Sequence, residues 1–246
     1  MLYRAHACTN NRPAEGEENV KAASGSTRRK GRKKLSPEEV ETIFARFAAL
    51  NPEPATELVH SNFFTLLVAV VLSAQATDAG VNRATKPLFK KVKTPAAMVA
   101  LGEPALSEAI KTIGLYRTKA KNVIALSKAL IERHAGKVPR NREALEALPG
   151  VGRKTANVVL NVAFGEETIA VDTHIFRVAN RIPLASGRNP FEVEQGLERV
   201  VPPLYRRHAH HWLILHGRYI CVARAPKCPI CPIADICRFE PKTKAG

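Results

Sequence analysis

Residues 148–161 read LPGVGRKTANVVLN, and the fold turns on how this stretch is parsed. It lies between two helical patterns, so only a few residues can reverse the chain from one helix into the next. Gly150 and Gly152 have no Cβ atoms. They let the backbone come close to a ligand and take positive φ, and they leave amide N–H groups free where the second helix begins and its dipole favours an anion.

A Pro-Gly-x-Gly turn is weak evidence by itself, because many tight helix-helix turns use glycine. All nine residues from 148 to 156, in a basic chain, make the helix-hairpin-helix signature, a sequence-independent clamp on a DNA phosphate. Lys154 follows the turn at the positive end of the helix and directly after Arg153. Both neighbours disfavour a second cation, which favours the neutral amine a nucleophile needs. On local sequence alone the residue reads first as a phosphate-binding lysine of ordinary basicity. Eighteen residues on, Asp172 ends the apolar run at 168–171 and precedes another helical pattern. That is an N-cap position, and a carboxylate fixed and oriented at a helix start can also carry chemistry.

Outward from the hairpin the punctuation is helical throughout, with no sustained period-two alternation bounded by hairpin turns. Ser36-Pro37-Glu38-Glu39 offers an N-cap, a proline at the first helical position and a Glu at the third, and the pattern continues through Ile43, Phe44 and Phe47. Thr94-Pro95 repeats the start signal. Val123, Leu126, Leu130 and Ile131 keep a helical period that Gly136 and Pro139 end, and Asn141 caps a short helix reaching Leu148. About ten helices with short connections are expected, an all-α chain.

The 246 residues carry a formal net charge of +16, which points to a polyanion, most simply nucleic acid. Residues 1–34 hold nine Lys or Arg against three Glu, a net +6, so residues 35–246 keep +10 of the +16. The first 34 residues end in RRKGRKK and have too few apolar positions to offset ordering entropy. They read as a disordered basic tail, either lying along phosphates or merely solvated, with Cys8 a spare thiol. The longest apolar run, residues 63–72, is about half of the ~20 residues that cross a bilayer, so a soluble protein is expected.

Cys221, Cys228, Cys231 and Cys237 are spaced C-x6-C-x2-C-x5-C, which can gather four sulfurs at one centre. Disulfides need an oxidising compartment, and no apolar signal segment opens the chain. Spacing alone does not separate zinc from a [4Fe-4S] cluster. His208, His210 and His211 are close in sequence, but adjacent residues on a helix do not share a face, so no metal site is assigned to them.

Taken together, LSAQATD at 72–78, TIGLY at 112–116, the hairpin at 148–161, AVDTHIFRV at 170–178, HHWLILHGRY at 210–219 and the four cysteines resemble the endonuclease III family over residues 36–240. These are bifunctional DNA glycosylases and AP lyases of base-excision repair. The resemblance implies a two-domain helix-hairpin-helix glycosylase fold. A helical barrel is expected over residues 56–166, and an iron-sulfur domain from 35–55 plus 167–246.

The resemblance further implies that Lys154 attacks C1′ of the damaged nucleotide and forms a Schiff base, and that Asp172 assists proton transfer and stabilises positive charge on the sugar. Gln75 and Leu115 match the residues inserted beside an extruded nucleotide. The four cysteines match [4Fe-4S] ligands, so iron replaces zinc. Gly150, Gly152 and Arg153 fall in the DNA clamp, while Arg224, Lys227 and Arg238 beside the cysteines are offered to phosphates. The implied partner is double-stranded DNA bearing oxidised pyrimidines or abasic sites, met by a monomer that binds no membrane. The setting is cytoplasmic and nucleoid-associated in a bacterium, or nuclear in a eukaryote.

Two other functions compete. An adenine-mismatch glycosylase of the same superfamily is opposed by the lysine at 154 and by a chain that stops nine residues after Cys237, short of that family's extra recognition domain. A non-enzymatic DNA-binding module with a four-cysteine zinc site would lack activity on an abasic site. If the tail meets phosphates, deleting residues 1–34 weakens DNA binding and makes its salt dependence shallower, as a salt titration of binding will read; an unchanged slope marks a solvated tail.

Overall fold

The computed structural model describes residues 34–244. Cys8 and the tail up to residue 33 lie outside the described residues. The chain runs through α1 (Pro37–Leu50), α2 (Phe63–Ser73), α3 (Asp78–Lys91), α4 (Pro95–Leu101), α5 (Glu103–Ala109) and α6 (Tyr116–His134). It continues through α7 (Arg142–Glu146), α8 (Arg153–Phe164), α9 (Thr173–Arg181), α10 (Pro190–Val200) and α11 (Arg206–Tyr219). Two short 3-10 turns and no strand complete the described residues, so the all-α class holds. The eleven α-helices exceed the expected ten in part because Gly102, at φ 79°, ends α4 and starts α5 in a single residue.

Helix starts follow local chemistry. The Ser36 hydroxyl accepts from the Glu39 amide while the Glu39 carboxylate accepts from the Ser36 amide, a closed capping box. Thr94 and Asn141 cap α4 and α7 in the same way, each accepting from the amide three residues on. Asn62 and Thr65 form a second reciprocal box at α2, which the sequence reading did not single out.

Buried apolar side chains form two clusters. One spans Leu58 to Leu160 and is organised around α2, where every residue from Phe64 to Leu72 is buried. Apolarity on all sides is what a central helix requires. The second unites Val40, Ile43, Phe44 and Phe47 of α1 with residues from Ile169 to Ile233. Phe44 packs against Tyr205 and Trp212, and the Trp212 indole N–H donates to the Asn51 carbonyl at 2.8 Å. Arg46 also donates to Asp235, which fastens α1 to the cysteine-bearing segment. Val123, Leu126 and Leu130 of the α6 period are buried, whereas Ile131, on the same period, is 42% exposed.

His211 is buried on α11, and burial pushes its imidazole from 6.5 down to about 4. The unfolded chain protonates this ring near pH 6.5, but the folded chain keeps it neutral until about pH 4. The unfolded state therefore binds the extra proton in that window, and the stability present above it is lost as pH falls, by about 3 kcal/mol in all. The urea midpoint should drop steadily on acidification through this window, and His211→Phe should make that drop shallower.

Candidate functional site

The hairpin between α7 and α8 is fixed by its two apolar residues, Leu148 and Val151, which are buried and joined by a 3.1 Å backbone hydrogen bond. Gly150 takes φ 78°, and a Cβ there would lie 2.9 Å from the Cβ of Asn122 on α6, so neither conformation nor space admits a larger residue. Gly152 departs from expectation. Its φ is −101°, because the reversal is complete at Gly150 and Gly152 already occupies the extended N-cap position. A Cβ on Gly152 would meet nothing within 4 Å, and no side chain caps α8. The first amides of α8 therefore have neither an intrahelical acceptor nor a side-chain cap.

Lys154, in the first turn of α8, is exposed and lines a cavity of about 90 Å³ together with Thr155, Glu57, Asp78, His210 and Arg218. Walls of this cavity come from both apolar clusters. Sequence reasoning missed the polar group at its edge. Arg218 donates to Glu57 and, at 2.6 Å, to Asp78, while the Tyr219 hydroxyl donates to the other Glu57 oxygen. Burial, followed by that bond, pushes the Tyr219 phenol up to about 12. Asp78 and Arg218 stand in two of the motif blocks, LSAQATD and HHWLILHGRY, but 140 residues apart, and only the fold reveals their pairing. Burial also holds the His210 imidazole well below its ordinary value, with His211, Lys154 and Arg218 adding to the effect.

Asp172 is the N-cap of α9. One carboxylate oxygen accepts from the His174 and Ile175 amides at 2.9 and 2.8 Å, and Asp172 stands outside the wall of the lysine cavity. Behind it, Arg177 donates to the Gly217 carbonyl at 2.7 Å, to the Cys221 carbonyl at 3.0 Å and to the His174 ring at 3.2 Å. Burial pushes the His174 imidazole down, and a neutral ring can accept that bond. The start of α9 is thus tied to the segment bearing the first cysteine.

Gln75 and Leu115 both stand exposed in the left-handed region, at φ 54° and 60°. Left-handed backbone at residues other than glycine costs about 1 kcal/mol or more each and is concentrated at functional sites. Leu115 is 61% exposed, not a core leucine, and a Cβ on its neighbour Gly114 would lie 3.9 Å from the Gln75 carbonyl, so the two loops lie side by side.

All four cysteines are free, half-buried and arranged around one small cavity with Ile182, His216 and Phe239. Four sulfurs around one cavity are the donor set that an iron-sulfur cluster takes. Donors already face the sulfurs: Arg181 reaches Cys221 at 3.6 Å, the Phe239 amide reaches Cys237 at 3.4 Å, and the His216 ring lies 3.9 Å from Cys231. Burial pushes the Cys231 thiol up to about 11 and raises that of Cys237. Gathered thiolates here call for a cationic core, which an iron-sulfur cluster supplies.

Arg224 and Lys227 are exposed beside the cysteines. The two other expected phosphate ligands also have protein partners. Arg238 donates to Glu39 at 2.6 and 2.8 Å, and Arg153 forms a forked pair with Glu194 at 2.7 to 3.2 Å while stacking over Phe191. The Glu194 side chain is 5% exposed, and a carboxylate buried that far requires a cation.

An all-helical fold with a hairpin, a cleft lysine and a four-cysteine knot defines a helix-hairpin-helix repair protein. Residues 68–203 match the HhH-GPD superfamily of base excision DNA repair proteins, and residues 221–237 match the iron-sulfur binding domain of endonuclease III. The chain is 56% identical to endonuclease III of Haemophilus influenzae over 202 residues, covering 82% of this chain and 96% of that protein. Against Escherichia coli K12 endonuclease III it is 57% identical over 200 residues, covering 81% and 95%. A trapped endonuclease III–DNA covalent intermediate, the estranged-adenine complex, superimposes with a TM-score of 0.78 at 46% identity, covering 83% of this chain and 96% of that one. The chain belongs to the endonuclease III family, and its cofactor is a [4Fe-4S] cluster. Neither the adenine-mismatch function nor a zinc-bearing binding module is favoured.

The Arg153–Glu194 pair joins α8 of the first cluster to α10 of the second. Arg153→Ala leaves a buried carboxylate alone and should lower stability by about 2–3 kcal/mol, below the range for a fully buried pair because the Arg153 side chain is 39% exposed. The salt dependence of DNA binding should hardly change; a slope lower by about one phosphate would make Arg153 a DNA contact after all.

Proposed function

We propose that this protein excises oxidised pyrimidines from duplex DNA and then cuts the strand at the resulting abasic site. It is a DNA glycosylase with AP lyase activity, and DNA is its partner. What carries the assignment of Lys154 is its placement: an exposed amine in the first turn of an uncapped helix, on the wall of a cavity formed by both apolar clusters.

In this mechanism the α8 amides, freed by Gly150 and Gly152, grip a phosphate and fix the strand against the helix start. The target nucleotide leaves the stack, and Leu115 and Gln75 occupy the gap, the leucine replacing lost stacking and the amide meeting the orphaned base. Their exposure and left-handed backbone support that role. The Lys154 Nζ lone pair attacks C1′ as the glycosidic bond breaks, and the electron pair leaves with the base, which takes up a proton. Loss of a proton from nitrogen and opening of the sugar ring give the Schiff base. Removal of a C2′ proton then expels the 3′ phosphate by β-elimination, and water releases the lysine.

Asp172 stabilises positive charge on the sugar and assists the proton transfers. With one oxygen held by the α9 amides, its carboxylate keeps a fixed orientation. Cys221, Cys228, Cys231 and Cys237 would hold the cluster, and the loop they fix would present the exposed Arg224 and Lys227 to phosphates. The enzyme acts as a monomer. Among the described residues no helix is long and apolar enough to cross a membrane; we place the enzyme in the cytoplasm, at the nucleoid of a bacterium.

Borohydride reduction of a reacting mixture should fix Lys154 to lesion DNA as a stable amine. Lys154→Gln should abolish trapping and slow incision by on the order of 10³-fold or more while lesion binding survives. Asp172→Asn should keep binding and lose most turnover. Incision by Lys154→Gln near the wild-type rate would reduce the lysine to a phosphate contact.

A further inference from the structure

Three helices carry the reactive face, and all three end at one place on the other side of the molecule. Gln75 follows the carboxyl end of α2, Leu115 precedes α6, and Lys154 begins α8. Their opposite ends, at Phe63, Ile131 and Phe164, enclose an open groove of about 780 Å³. With 11, 19 and 12 residues, the helices hold the groove roughly 16 to 28 Å from the DNA face.

The groove is apolar and open to solvent. Phe63 is 49% exposed and Ile131 42%, and Pro95, Val138 and Phe164 continue the wall. Phe63 meets Phe164 edge-on, with centroids 5.0 Å apart, leaving an uncovered aromatic shelf. Such a concentration of exposed apolar side chains marks an interaction surface. Among the described residues its charged lining is Lys93 and Lys137, both exposed; Arg140, near the Phe164 ring at 5.9 Å, is already paired with Glu166 at 3.0 Å and adds no free charge.

The charge pattern selects the occupant. A second copy brings a net charge of +16, and the chain's own first 34 residues bring +6, so both are repelled by the lysines. A single nucleic-acid strand is held by stacking successive bases on several rings, whereas this groove presents one T-shaped pair, Phe63 and Phe164, enough for one side chain. We propose that this groove docks a linear acidic peptide segment of a partner protein, an aromatic or aliphatic side chain seating against Phe63 and Phe164 and carboxylates meeting Lys93 and Lys137. Because the groove and the reactive face lie at opposite helix ends, peptide and DNA bind together.

The test is fluorescence anisotropy of the full-length, cluster-loaded protein with a short fluorescein-labelled peptide of aspartates enclosing a Phe-Leu pair. Saturable binding is expected, and it should persist when the DNA face is saturated with undamaged duplex. Phe63→Asp should weaken it by about tenfold or more, and Lys93→Glu with Lys137→Glu should do the same, while lesion incision is unchanged in each. A peptide with lysines replacing the aspartates should not bind. The proposal is overturned if binding is absent, if duplex displaces the peptide, or if the groove variants bind like wild type. It is equally overturned if a labelled single-stranded oligonucleotide takes the groove in preference to the peptide, or if sedimentation reveals a dimer that Phe63→Asp dissolves.

Discussion

Helix α8 begins at Gly152 with no side chain accepting from its first amides, and the geometry of the cleft follows from that open start. An ordinary helix start is satisfied by Ser, Thr, Asn or Asp, as α1, α4, α7 and α9 are here. Leaving one uncapped and exposed costs about 1 kcal/mol unless something else accepts those hydrogen bonds. An anion is the natural acceptor, because free amides and the positive end of the helix dipole meet at that turn.

Holding such a start in place requires rigidity on both sides. Gly150 closes against Asn122 of α6, Leu148 and Val151 anchor the turn in the first apolar cluster, and Arg153 reaches across to the buried Glu194 of α10. This last pair fixes how α8 faces the second cluster. Arg218, on α11, does the same from the opposite direction by pairing with Glu57 and Asp78. The Arg218 group lines the cavity beside Lys154, the Arg153–Glu194 pair ties the start of α8 to α10, and in each the buried charge has an opposite partner.

A comparable economy of position joins Asp172 to the cysteines. Arg177 binds the His174 ring and the Gly217 and Cys221 carbonyls, so the cap of α9 and the entrance to the cysteine loop share one guanidinium. Arg181, one turn on, continues the contact to Cys221 and to the Val222 and Ala223 carbonyls. Order in the iron-sulfur segment is therefore coupled physically to the orientation of the α9 start.

By itself the sequence determined what depends on neighbours in the chain. Capping residues placed the starts of α1, α4 and α7, helical periodicity without alternation set the all-α class, and the motif blocks with the cysteine spacing identified the family. Such signals are local because a cap, a turn or a C-x2-C ligand pair is completed within a few residues. Tertiary structure decided the rest. That α1 packs with residues some 130 positions later, that Arg153 faces a buried carboxylate, that Asp78 meets Arg218, and that Ile131 opens onto a groove all depend on side chains brought together by packing of distant helices. A guanidinium chooses its partner by proximity and burial, and a charge pattern read along the chain contains neither.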